Sequence, residues 1–300
     1  MTAVRVAAFV VGIGLVLGTA ASAVRTMVVP RATPSVIARS VFVGIRYVFR
    51  ALTRRTSDYD KQDRVMAFYA PLSLVSLPVA WLSIVFGGYT MAFWSLHQRS
   101  LREALYLSGS SLLTLGFSRP GDLPALALSV TESGAGIGLL ALLISYLPTI
   151  YGVFARRETG VALLETRAGS PPSGVNLVVR YHRIGWSGGF EEVWKDWQLW
   201  FAELEESHSS MPALVFFRSP QPDRSWVTAA GAVLDGAALL VSTVEGHDDP
   251  EAQLLIRSGY VSLRRLATYF DIAFDPDPRP DDPISVTREE FDAACARMAR

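Results

Sequence analysis

Ser108–Asp122 reads S-G-S-S-L-L-T-L-G-F-S-R-P-G-D and lies between two long apolar runs, Val65–Leu96 before it and Leu126–Ala155 after it. Each run exceeds the roughly 20 helical residues needed to cross a hydrocarbon core. Directly ahead of the quoted loop, His97–Leu113 is a weakly polar stretch the length of a short helix, with Leu101, Leu105, Leu112 and Leu113 as its apolar contacts. The predicted order is therefore long helix, short helix, loop, long helix.

That order, together with Thr114-Leu115-Gly116-Phe117, resembles the pore unit of the potassium-channel superfamily. In that family a short helix dips into the membrane, and a Thr-Val/Ile-Gly-Tyr/Phe-Gly-Asp loop returns with its carbonyls aimed at dehydrated potassium. Thr114, Leu115, Gly116 and Phe117 fit the first four filter positions. Ser118 stands at the fifth, normally Gly, and the Gly-Asp pair arrives late as Gly121-Asp122, after Arg119-Pro120. The resemblance implies a selectivity filter at Thr114–Ser118 and an outer mouth at Gly121 and Asp122. It also implies an inner-helix hinge among Gly134, Gly136, Gly138 and Pro148, for which close helix packing is an equal alternative. Glu132 lies near the outer end of its helix, facing the vestibule or reaching the headgroups. One loop per chain implies a homotetramer, with potassium as the permeant cation and no resident cofactor or metal.

The family's second filter glycine adopts a backbone conformation that costs a residue with a Cβ on the order of 1–2 kcal/mol. Ser118 is therefore expected to relax the outer half of the loop and weaken discrimination between potassium and sodium.

Half of the 300 residues are hydrophobic, the mean hydropathy is +0.27, and the apolar residues concentrate in the first half. That is a membrane-protein distribution. The net charge of zero gives no signal for nucleic acid. A single cysteine, Cys295, excludes an intramolecular disulfide and a multi-thiolate metal site within one chain.

Residues 1–29 hold a first apolar run, Val4–Val29. Ala21-Ser22-Ala23 within it offers a signal-peptidase reading. The cluster of Arg25, Arg31, Arg39, Arg46, Arg50, Arg54, Arg55, Lys61 and Arg64 that follows argues instead for an uncleaved helix leading into the cytoplasm, because short basic loops stay inside. Residues 30–64 then form a basic cytoplasmic linker. After a break at Pro30 and Pro34, Ser35–Thr53 predicts an amphipathic helix with Arg39, Arg46 and Arg50 within about 40° of one another. Ile37, Val41, Ile45, Val48 and Leu52 occupy the other side. Such a helix suits anionic headgroups at the membrane surface, and a helix packed on protein is the alternative. In Val65–Leu96, Trp81, Tyr89 and Trp94 read as lipid-facing or interfacial anchors.

The pore module is expected over 65–157, a linker over 158–174, and a helical cytoplasmic domain over 175–300. In that domain Val193, Trp197, Trp200, Phe201 and Leu204 recur at helical spacing, which predicts core. Trp226–Val244 is apolar, but Asp235 at its centre favours a buried helix over a fourth span. His182, His208 and His247 lack metal-ligand spacing, Gly185–Gly189 is too short a resemblance to a phosphate loop, and Asp248-Asp249 with Asp275–Asp282 reads as solvated acidic loop. No catalytic constellation is visible. The expected protein is an all-α, multi-pass cell-membrane protein with three spanning helices, a re-entrant pore loop and a helical cytoplasmic domain. It is a channel subunit or, alternatively, a non-conducting channel-derived sensor or scaffold.

Overall fold

The computed structural model describes residues 2–29, 35–54, 58–96, 100–185, 189–219, 221, 224–244, 249–279, 282 and 286–298. Pro30, Arg31, Pro34, Arg55, His97, Trp186–Gly188, His247 and Asp248 lie outside them, so the proline break and those loop readings are not described further. Every regular element among the described residues is helical. Four stretches are long and apolar enough to cross a membrane: Ala3–Met27, Lys61–Ser95, Leu123–Ala168 and Trp226–Thr243. The chain divides into two compact units, Met1–Tyr151 and Gly152–Arg300.

The first unit contains α1 (Thr2–Met27), α2 (Val36–Thr53), α3 (Tyr59–Met66), α4 (Tyr69–Ser95), α5 (Leu101–Leu112) and the first part of α6 (Leu123–Ala168). Helices in hydrocarbon gain little from burying apolar surface and associate through close packing and polar contacts, so small residues mark their crossings. At the crossing of α1 and α4, a Cβ on Gly12 would overlap the Gly88 carbonyl oxygen, and one on Gly88 would stand 2.7 Å from the Gly12 carbonyl oxygen. The two helices run antiparallel, with Arg5 over the Trp94 ring at one end, 6.0 Å from its centroid. At the other end Ser22 Oγ accepts from the Trp81 indole at 3.0 Å and lies 2.7 Å from Ser35 Oγ, which caps α2 by accepting from the Ala38 amide. Three helices thus meet on two hydroxyls.

This junction corrects two expectations. Trp81 is not a lipid-facing anchor: it is fully buried, because its N–H has an acceptor inside the protein, and Tyr89 is buried as well. The apolar side of α2 does not lie wholly on a membrane surface either. Ala38 and Phe49 are buried, and the Tyr69 hydroxyl of α4 donates to the Phe42 carbonyl at 3.1 Å. Arg39, Arg46 and Arg50 remain exposed. Ala21-Ser22-Ala23 is continuous helix within α1, and Ala23 is buried.

The second unit is built from residues 152–168 of α6 with α7 (Gly174–Arg183), α8 (Phe190–Ser210), a 3-10 turn at Pro212–Phe216, α9 (Trp226–Thr243), α10 (Pro250–Tyr269) and α11 (Arg288–Met298). In place of the linker expected over 158–174, α6 continues to Ala168. Val161, Leu164 and Ala168 supply one apolar stripe of this core, and only Gly169–Ser173 turns. The α8 residues Val193, Trp197, Trp200, Phe201 and Leu204 are buried in the same core, as their spacing predicts. On α9 the small residues Ala229, Ala232, Val233, Gly236 and Ala237 are buried, while Thr228, Asp235 and Ser242 form an exposed polar stripe.

Arg157 is the one buried cation of this core among the described residues. Its guanidinium donates to the Phe217 carbonyl at 2.8 Å, to the Leu214 carbonyl at 3.3 Å and to Glu158 Oε1 at 3.0 Å, with His208 Nε2 3.2 Å away. His208 Nδ1 lies 3.0 Å from the Leu204 carbonyl, so a neutral ring that donates there can accept from Arg157. Burial, with the neighbouring Arg157 charge, pushes the His208 pKa down to about 4.

Gly12→Leu should destabilise the protein by about 1–3 kcal/mol through overpacking at the helix crossing, read as a lower thermal unfolding midpoint in detergent. Gly14→Leu, where an added Cβ meets nothing within 4 Å, should leave the midpoint nearly unchanged. Unfolded, His208 takes up its proton near pH 6.5, but folded only near about 4. The unfolded chain therefore binds more protons between these values, and stability falls as pH drops through that window, by about 3 kcal/mol at its lower end. Tryptophan fluorescence melts of His208→Gln should show a flatter profile between pH 6.5 and 5.

Candidate functional site

A helix of 12 residues rises about 18 Å, well short of a hydrocarbon core of about 30 Å. α5 is such a helix. Its start is fixed by a capping box, in which Ser100 Oγ accepts from the Glu103 amide at 3.2 Å and the Glu103 carboxylate accepts from the Ser100 amide at 3.1 Å. Its serines then tie it to its neighbours. Ser108 Oγ stands 2.5 Å from Glu132 Oε1 of α6 and 3.2 Å from the Phe86 carbonyl of α4. Ser133 Oγ donates to the Ser111 carbonyl at 2.7 Å. A Cβ on Gly136 would overlap the Leu112 carbonyl oxygen, so the end of α5 lies directly on α6.

The loop leaves α5 through a left-handed turn. The Thr114 amide donates to the Ser111 carbonyl at 3.0 Å and the Leu115 amide to the Ser110 carbonyl at 2.8 Å, a Schellman pattern whose left-handed position usually takes glycine. Here it is Thr114, at φ 56°, a rare conformation for a β-branched side chain. Gly116 follows at φ 73°, with open space where a Cβ would stand. Ser118 is not in the left-handed region; its amide instead donates to Ser110 Oγ at 3.0 Å. The positive backbone angles thus fall at Thr114 and Gly116, two residues earlier than the family's pair, which would fall at Gly116 and Ser118. The Phe117 ring packs edge-on against Tyr106 of α5 at 6.2 Å, and Leu115 stays exposed.

Beyond Arg119 and Pro120 the Gly121-Asp122 pair starts α6. Asp122 Oδ1 accepts from the Ala125 amide at 2.8 Å, the geometry of an N-cap. Glu132, expected at the vestibule or among headgroups, is fully buried against Ser108 behind the loop. Its Oε2 has no hydrogen-bond partner among the described residues. A buried ionisable side chain needs a partner inside the protein, and the serine-rich α5 supplies one. Gly136 is a packing residue, whereas Gly134 and Gly138 are exposed with nothing within 4 Å of an added Cβ. α6 remains one unbroken helix through all three glycines and Pro148.

No known protein family, curated protein or solved structure matches this chain. No group of three or more His, Cys, Asp or Glu side chains placed to hold a metal occurs among the described residues.

Removing the Ser110 hydroxyl leaves the Ser118 amide without its acceptor. Hydrogen exchange at Ser118 should then quicken by roughly 5- to 10-fold in Ser110→Ala, as expected for one net hydrogen bond of about 1 kcal/mol. An unchanged rate would mean that the loop is held elsewhere.

Proposed function

We propose that this protein is a pore-loop cation-channel subunit, potassium-channel-like, that conducts passively as a homotetramer in a cell membrane. The observation that carries the reading is α5 with its loop: a helix too short to span, seated between α4 and α6, followed by an exposed return that carries left-handed residues at Thr114 and Gly116. On this reading α1, α4 and α6 span the membrane, while α9 is a core helix. The antiparallel pairing of α1 with α4 agrees with basic α2 on the cytoplasmic side and Arg119 outside. Four copies of Thr114–Phe117 present carbonyls and hydroxyls to a cation stripped of part of its hydration. The exposed arginines Arg39, Arg46 and Arg50 face anionic headgroups, and the second unit is the cytoplasmic domain.

A second reading, a non-conducting sensor or scaffold, is favoured by one feature. Ser118 is bonded back to Ser110, and the Gly-Asp pair is used as the start of α6. Recording from planar bilayers that hold the purified protein separates the two. The channel reading predicts a cation current with little preference for potassium over sodium. Gly116→Ala should abolish it, since the left-handed position then costs on the order of 1–2 kcal/mol in each subunit. Ser118→Gly with deletion of 119–121 should move the reversal potential toward the potassium limit. Silence from correctly assembled protein would leave the scaffold reading.

A further inference from the structure

α7 is held against α9 at a close crossing, where a Cβ on Gly174 would stand 2.6 Å from the Gly236 amide nitrogen. That contact fixes which side of α7 is buried: Leu177, Val178 and Tyr181 face the core. The opposite face carries Asn176, Val179, Arg180 and Arg183, one turn apart along the helix, and α11 sets Arg297 beside them. These five residues line a recess of about 340 Å3.

The recess is short of negative charge. The Arg297 guanidinium donates to Asn176 Oδ1 at 2.7 Å, and Arg180 donates to the Thr166 carbonyl, so both partners are neutral. Arg183 has no partner among the described residues. Among the described residues no carboxylate lines the recess. Two of the three carboxylates of α11 are engaged at its other end, where Glu290 caps the helix with Thr287 and Asp292 pairs with Arg288, and Glu289 also stands in the first turn, away from Arg297 in the last. Like charges a turn apart on a helix repel, and a third guanidinium from α11 adds to that repulsion. Most of the N–H donors of all three have no acceptor among the described residues. Planar guanidinium forks match the oxygens of phosphate, in pairs of parallel hydrogen bonds.

We propose that α7 and α11 form a binding site for a multiply charged phosphate group, held by Arg180, Arg183 and Arg297. The group is either the headgroup of an anionic lipid or a soluble phosphate ester, and the inference stands whether or not the protein conducts.

The test uses the full chain in nanodiscs, with inorganic tripolyphosphate as the probe and tryptophan-monitored unfolding as the readout at low salt. In phosphatidylcholine discs, tripolyphosphate at about a hundredfold excess over its dissociation constant should raise the unfolding midpoint by roughly 5 °C. The shift should vanish in Arg180→Gln/Arg183→Gln/Arg297→Gln and persist in Arg257→Gln/Arg264→Gln, which removes two α10 arginines. Arg183→Gln alone, which breaks no described contact, should weaken the half-saturating concentration several-fold and guards against misfolding of the triple variant. Repetition in discs containing phosphatidic acid, whose phosphomonoester headgroup can carry two charges, assigns the source. A shift that disappears there marks a lipid headgroup already in the site, and a shift that persists marks a soluble phosphate. No shift in phosphatidylcholine discs, or one that survives the α7 and α11 substitutions, overturns the site.

Discussion

A polar group carried into hydrocarbon has to be satisfied by the protein itself, because no water is there to do it. On the channel reading that requirement falls mainly on α5, which has a serine at three of its last five positions. Ser108 lies within bonding distance of both neighbouring helices, Ser110 receives the amide of the returning loop, and the Ser111 carbonyl receives Ser133. These bonds fix the height and rotation of a helix too short to be held by its own span. The loop geometry follows, since Leu115, Gly116 and Ser118 are all referred back to Ser110.

Close approach is the second condition. Gly12 and Gly88, Gly136 and Leu112, Gly174 and Gly236 each mark a place where one backbone touches another. Gly160 admits a side chain instead, leaving room for the Trp200 ring, whose indole donates to the Arg157 carbonyl at 3.1 Å. Between helices that cross a membrane such contacts replace the missing hydrophobic drive, and in the second unit they leave room for aromatic side chains in the core.

Much of this was legible in the sequence. Apolar length located the spanning candidates, and helical spacing located the Trp197 and Phe201 core stripe. Thr114–Phe117 stood out as a special loop through its resemblance to a filter sequence and its place between a short helix and a long apolar run. Three features escaped for physical reasons. Trp81 has the composition of an interfacial anchor, and only the distant Ser22 hydroxyl makes its burial tolerable. Glu132 is polar in an apolar helix, and its partner lies 24 residues earlier, beyond any local pattern. The left-handed position fell on Thr114 because the end of α5 sets it, and nothing in local propensity favours a β-branched residue there.

The division of α6 into faces extends the argument from one protomer to its surroundings. Ala125, Ser129, Glu132, Gly136 and Leu139, three or four residues apart, pack inside the unit. Leu126, Val130, Ile137 and Ile144 form a bulky exposed strip, suited to lipid tails or to a neighbouring apolar helix. The remaining strip is small or hydroxylated, with Ala127, Thr131, Gly134, Gly138, Ala141 and Ser145 all exposed. Thr131 and Ser145 bond to carbonyls of their own helix, at 3.0 Å to Leu128 and 3.0 Å to Leu142, so this strip is tolerable in hydrocarbon without a partner. It is equally tolerable beside water, where bulky side chains would obstruct a pathway and these do not. On the channel reading this strip faces the axis, and the loop bonded to Ser110 sits at its outer end. The chemistry of the strip and the position of the loop therefore bear on the same reading through independent residues.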